Sequence, residues 1–179
     1  MKRYALPIVI LGLALAALPA CKSMSSEELK GSLEILDYTS AWVSKYYQPW
    51  PPRLILVPQI SFRVKNNGSK PLTYVNFNAV FNFKGDPENF GDAFKAAIRG
   101  QAVPPGETSP VITLTSNLGV DGKNLAGIRD NPAWKQAEAR LFASSKGSMP
   151  VLLGVYDVSR DIDFKEPEPV EPKKDAVKK

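Results

Sequence analysis

The feature that most narrows what this chain can fold into is the alternation of apolar and polar residues on both sides of Asn67-Gly68. In residues 54–66, Ile60, Phe62 and Val64 point one way while Ser61, Arg63 and Lys65 point the other, the period of a half-buried strand. Residues 72–84 repeat the pattern, with Val75, Phe77, Ala79, Phe81 and Phe83 on one face and Asn76, Asn78 and Asn82 on the opposite one. A helix would scatter these residues around its circumference; only an extended chain sorts them. Between the two runs, Asn-Gly accepts the positive φ angles of a tight turn, so the expectation is an antiparallel hairpin closed at Asn67-Gly68.

The rest of the chain reads in the same terms. Residues 25–28, Ser-Ser-Glu-Glu, fit either the capped start of a short helix or plain tether. Residues 33–37 are expected to be a strand. Residues 46–52, Tyr-Tyr-Gln-Pro-Trp-Pro-Pro, are expected to be an ordered but irregular loop, because three prolines remove amide donors. After the break at 85–89, Phe94, Ala97 and Ile98 suit a short helix or an extended segment equally. A turn at 103–107 precedes a β-branched strand at 111–115, and 117–132 reads as a loop with a turn of helix around Leu125 and Ile128. A strand is preferred over an amphipathic helix at 138–144. Residues 151–158, apolar on both faces, predict a central strand covered by layers on each side. Together these predict a mainly β fold, an antiparallel sandwich with at most one or two short helices, spanning residues 32–164.

Upstream of that domain stands a charged start, Met1-Lys2-Arg3, then an apolar run over residues 5–18 and the tetrapeptide Leu18-Pro19-Ala20-Cys21, which holds the single cysteine of the chain. This stretch resembles the lipobox of bacterial lipoproteins. The resemblance implies a signal peptide over residues 1–20, acylation of Cys21, and a lipidated tether over 21–31. An apolar run of that length falls short of the about 20 residues a membrane-spanning helix needs. Lys22 follows the cysteine where an aspartate would imply inner-membrane retention, so the resemblance implies the outer membrane, with the domain facing the periplasm. The alternating segments at 54–83, with Pro105-Gly106-Glu107 before the strand at 111–115, resemble the immunoglobulin-like, FxLYD-like sandwich domains of bacterial lipoproteins over residues 54–116. That family implies an accessory or binding domain without catalytic residues.

Composition bears on chemistry mainly by exclusion. The sequence has no histidine, which removes imidazole acid–base catalysis, the Ser-His-Asp arrangement and imidazole metal ligands. With Cys21 acylated no other thiol exists, so no disulfide and no thiolate metal site are expected. Glycine-rich phosphate cradles are missing. The net charge of +5 falls to +3 once Lys2 and Arg3 leave with the signal, and it is spread without a basic stripe, so no nucleic-acid partner is expected. No cofactor, metal or catalytic residue is assigned. Asp157, Asp161 and Asp163 could offer oxygen ligands to calcium but lack the spacing of an EF-hand loop, and a solvated strand end accounts for them better. Residues 165–179, charged and proline-rich, predict a disordered extended tail.

The residues expected to meet a partner are Trp42, Tyr46, Tyr47 and Trp50, since Tyr and Trp supply large contact area at low entropic cost. The function expected from sequence is thus a non-enzymatic envelope lipoprotein. Its sandwich would bind an envelope protein or support an envelope complex, and its lipid anchor would bind the membrane. The alternative expectation is a periplasmic carrier of an apolar ligand, lined by Phe77, Phe81 and Phe83.

Overall fold

A computed structural model describes residues 24–167. The signal run, Cys21 and the tail beyond residue 167 lie outside the described residues. In chain order the elements are α1 (Ser26–Ser32), β1 (Leu33–Gln48), β2 (Arg53–Asn66), β3 (Leu72–Phe83), β4 (Asn89–Val103), β5 (Ile112–Thr115), β6 (Val120–Gly122), α2 (Leu125–Arg129), β7 (Ala137–Ser145), β8 (Val151–Val158) and β9 (Ile162–Asp163). They build two sheets. One runs β5-β2-β1-β9, with β6 alongside β2; the other runs β4-β3-β7-β8. All pairings are antiparallel except β1 with β9. Strands 1, 2 and 5 against 3, 4, 7 and 8 is the distribution of an immunoglobulin-like sandwich, the antiparallel sandwich that alternation predicted, in the form that the resemblance implied.

The expected hairpin at Asn67-Gly68 is not formed. The two alternating strands belong to different sheets: β2 pairs with β1, β5 and β6, while β3 pairs with β4 and β7. Alternation says that each strand buries one face, and two strands facing each other across a core satisfy it as well as two side by side. The turn between them therefore crosses from sheet to sheet. Phe62 of β2 meets Phe77 of β3 edge to face across this core, at 5.3 Å and 75°. Gly68 is required for closeness rather than for φ, because a Cβ there would lie 2.4 Å from the Ser32 hydroxyl.

What holds the crossover is Asn66, fully buried. Its amide nitrogen donates to the carbonyls of Lys70 and Val103, both at 2.9 Å, and its amide oxygen accepts from the Gly68 N–H at 2.9 Å. The backbone of Asn66 is equally engaged, its N–H donating to Glu107 and its carbonyl accepting from Gly106. One residue thus ties together the end of β2, the crossover, the end of β4 and the turn before β5, the last of these through its backbone.

β1 is three times longer than the strand expected at 33–37, and it reaches through Tyr46 and Tyr47, so only residues 49–52 form the turn. A bulge between Leu36 and Thr39 interrupts its pairing, with Asp37 at φ 52. The extra residue re-aims the strand, and Tyr38 stacks on Tyr156 of β8 at 4.7 Å while its hydroxyl donates to the Asp157 carbonyl. The segment around Phe94 is strand β4, the strand preferred at 138–144 is β7, and the turn of helix around Leu125 is α2. Residues expected as tether form α1, capped by the Ser25 hydroxyl on the Glu28 N–H, and Leu29 is buried in the core. At the other end Phe164 packs on Tyr47 and the Glu166 carboxylate accepts from the Leu125 N–H, so the chain is held through 166 rather than released after 164. The one misplacement among the strands is β8, expected in the centre of a sheet and found at its rim.

Replacing Asn66 by alanine removes the buried Val103 bond and strands the half-buried partners at Lys70 and Gly68, and is expected to cost about 2 kcal/mol. Asn67→Ala, at the exposed position a tight hairpin would have depended on, should cost less than about 1 kcal/mol. Urea unfolding of the two variants tests the crossover, and equal losses would contradict it. A second expectation concerns alkaline pH. Burial raises the Tyr38 phenol to about 12, opposed by a hydrogen bond with Ser40 and assisted by Tyr156 and Asp157; burial also raises Tyr156. The folded state therefore holds these protons more tightly than the unfolded chain, and stability should be level below about pH 10 and fall as pH rises towards the folded value. Tyr38→Phe should flatten that fall in a denaturation series across pH.

Candidate functional site

Of the four aromatic residues expected on a binding surface, the structure brings three together and removes one. Trp42 is wholly buried. It stacks near Phe90 and meets Trp134 edge-on at 5.8 Å, so it is core and offers no surface. The cause is register: β1 continues as strand beyond Asp37, and the bulge there turns Trp42 inward opposite Pro58. Tyr46, Tyr47 and Trp50 do gather at the β1–β2 turn. Tyr47 is half-buried against Phe164. The Tyr46 hydroxyl bonds Gln48, and its ring lies under Arg53, which Asp121 holds at 2.7 Å. Gln48 donates to the Trp50 carbonyl at 2.9 Å. Trp50 is 83% exposed at this tip, and the braced Tyr46 is 42% exposed.

A larger apolar surface lies elsewhere, on the outer face of the β4-β3-β7-β8 sheet. Residues directly opposite one another in antiparallel strands share a face. The register sets Phe94, Asn78, Phe142 and Leu152 in one row across all four strands, and Asp92, Val80, Arg140 and Val155 in the next. Phe94 is 66% exposed, and Leu152 and Val155 are exposed as well. Phe94, Phe142 and Pro150 wall a shallow groove of about 330 Å³, whose polar lining is Asn76, Asn78 and Ser144. Contiguous exposed apolar surface of this kind, mixed with neutral amides, marks a contact site more often than it marks idle surface.

Sequence reasoning missed this face for two reasons. Phe94 fell in a segment whose period did not choose between helix and strand, and the doubly apolar β8 was taken as covered on both sides. A signal was nevertheless present in β7. Ala137, Ala139, Leu141 and Ala143 fill the inward phase, which leaves Phe142 as a large ring at an outward position, between Arg140 and Ser144.

The carboxylates considered for calcium serve separate purposes. Asp157 pairs with Lys84 at 2.6 Å and Asp161 accepts from the Ser159 hydroxyl at 2.6 Å, while Asp163 lies in β9 opposite Val43. Among the described residues no three such groups converge as metal ligands would. Phe77 and Phe81, the face considered for an apolar ligand, are fully buried, packed on Phe62 and Phe90 respectively.

No family model and no curated protein matches the chain. Among solved structures, it is similar to the putative ApaA protein from Bordetella pertussis, at 16% identity over 72% of this chain and 94% of that one, with a TM-score of 0.39. It is also similar to the ligand-binding region of serine-glutamate repeat protein A of Enterococcus faecium, at 12% identity over 71% of this chain and 99% of that one, with a TM-score of 0.29. Similarities this low bear on neither family nor function.

The division between core and surface aromatics has a direct check. Trp42→Ala should lose about 3–5 kcal/mol, as for other large buried rings, whereas Trp50→Ala should stay within about 0.5 kcal/mol of the parent. Since the Trp42 indole N–H has no hydrogen-bond partner among the described residues, Trp42→Phe should cost less than Trp42→Ala. Denaturant midpoints for the three variants, read at constant slope, decide it.

Proposed function

We infer that this chain is a non-enzymatic envelope lipoprotein whose sandwich binds a protein partner. Cys21 carries the lipid anchor, and the domain faces the periplasm from the outer membrane. The lipobox-like Leu18-Pro19-Ala20-Cys21 supports the anchor. Among the described residues no helix is long and apolar enough to cross a membrane. The observation that carries the binding reading is the row Phe94–Phe142–Leu152 on the outer sheet face. Rings and a leucine standing together in water recover free energy when a partner covers them, at about 25 cal/mol per Å² of apolar area removed. Asn76 and Asn78 beside them supply donors and acceptors that fix register without the desolvation cost of charge.

The rim position of β8 supports the same reading. β8 is bonded to β7 on one side, and an extended segment of a partner can add to such a strand while its side chains meet Leu152 and Val155. The Trp50 tip is the secondary contact on this reading, since one projecting indole offers less area than four strands. The phenylalanines a carrier would line with are packed against Phe62 and Phe90, which leaves the partner-binding reading as the better supported of the two.

A photo-crosslinking amino acid placed at Phe94 of the full-length chain, in intact envelopes, tests the site. A discrete adduct is expected at Phe94, and Leu152→Arg on the same background should abolish it while leaving thermal unfolding unchanged. Adducts formed only from position 50 would move the site to the turn. For the anchor, Cys21→Ser is expected to release the chain from the membrane fraction and to end incorporation of labelled palmitate.

A further inference from the structure

The anchor reading gives the domain a direction, because the described chain begins at a fixed place in the fold. Met24 is seated: its carbonyl accepts from the Ser145 hydroxyl at 3.1 Å, and the next turn is tied down by the Ser26 hydroxyl on the Met149 carbonyl at 2.8 Å. Only three residue steps separate Met24 from Cys21, a reach of about 10 Å at full extension. Whatever surface surrounds Met24 is therefore within about one headgroup layer of the bilayer once Cys21 is acylated.

That surface has the composition an interface favours. Beside Met24 lies a groove of about 580 Å³ with Leu29, Leu72 and Val75 at its floor and Lys70, Lys146 and Tyr74 around it. Lys146 stands over the Tyr74 ring at 5.9 Å. Tyr74 is 47% exposed, and Met149, just across the turn, is 77% exposed. Tyrosine and lysine are amphipathic in the way the headgroup region requires, with an apolar body and a polar tip. Nothing in the packing of the sandwich requires an exposed methionine and tyrosine at this end.

We propose that this end of the sandwich, around Tyr74, Lys146 and Met149, is a docking surface for the headgroup layer of the membrane that holds the anchor. The Lys146 ammonium meets lipid phosphates while Tyr74 and Met149 enter the interface; Lys70, beside them, is held by the Glu28 carboxylate at 2.7 Å. β1 then runs away from the bilayer, carrying the Trp50 tip up to about 50 Å out along its 16 residues, and the Phe94 face stands at the side, open to a partner. The inference rests on the anchor reading, and its test separates the two.

Because Cys21 is acylated, a cysteine introduced elsewhere is the one free thiol of the mature chain and takes a fluorescent label alone. The full lipidated chain, labelled at Met149→Cys or at Trp50→Cys, is reconstituted in phosphatidylcholine and phosphatidylglycerol vesicles with nitroxide on the headgroups. Quenching at position 149 is expected to exceed that at position 50 severalfold, and Lys146→Glu in the Met149→Cys background should reduce it severalfold. Equal quenching at 149 and 50 overturns the orientation. Quenching at 149 that Lys146→Glu leaves unchanged also overturns the docking surface, since the short tether alone would then account for proximity. A chain that does not float with the vesicles refutes the anchor, and the inference falls with it; a chain that floats while 149 stays unquenched refutes the inference alone.

Discussion

The amide of Asn66 is the constraint on which the two-sheet arrangement depends. Strands β2 and β3 supply a large share of the core, and the short connection between them has to turn the chain through the thickness of a sandwich without leaving buried polar groups alone. A buried amide does this where a hydrophobic residue could not, because the crossover and the end of β4 present polar backbone atoms to it, while the backbone of the same residue bonds Gly106 and Glu107. Low local dielectric makes such a network strong when complete and costly when broken. The Phe62–Phe77 contact, by contrast, is general hydrophobic packing that other large side chains could approximate.

Fixing the crossover also decides which surfaces stay open. Since β3 leaves the first sheet, its neighbours must be later strands, and β7 takes one side while β4 takes the other. β8 is then the last strand of its sheet and, among the described residues, pairs with β7 alone. Its inward residues reach the core, and Tyr156 meets Tyr38 from the opposite sheet, but its outward leucine and valine remain in solvent. The exposed row is thus a consequence of strand order, and the sequence placed large apolar residues there although folding alone does not need them.

Much of the fold was legible because period two is a local property. The strands at 54–66, 72–84 and 138–144 stand where alternation put them, and the helical turn at Leu125 follows from its Asn124 cap. Pairing was not legible, since the same alternation serves a hairpin and a crossover, and Asn67-Gly68 fits both. The buried neighbour Asn66 differs from Asn67 in nothing that sequence displays; only the convergence of residues 70, 103, 106 and 107 distinguishes them. The candidate site suffered from a related ambiguity. An aromatic, proline-rich segment such as Tyr46 to Pro52 attracts attention in a sequence, yet its tyrosines are braced by Gln48, Arg53 and Phe164, and Trp42 nearby proved to be core. Phe142 was the informative residue, and it could be recognised as outward-facing only after the inward phase of its strand had been assigned.

The parallel pairing of β9 with the middle of β1 has a mechanical meaning. Met24 enters at one end of the sandwich and the described chain leaves beside Tyr47 and α2 at the other. Tension between an anchored N-terminus and a C-terminal segment held by some other body would pull these two strands past each other along their length. The Trp42 N–H to Asp161 carbonyl bond and its neighbours would be loaded together in shear, whereas a hairpin pulled open from its end breaks its bonds one at a time. A domain wired in this way resists stretching along the axis that joins its two ends, the axis on which a tethered protein is pulled.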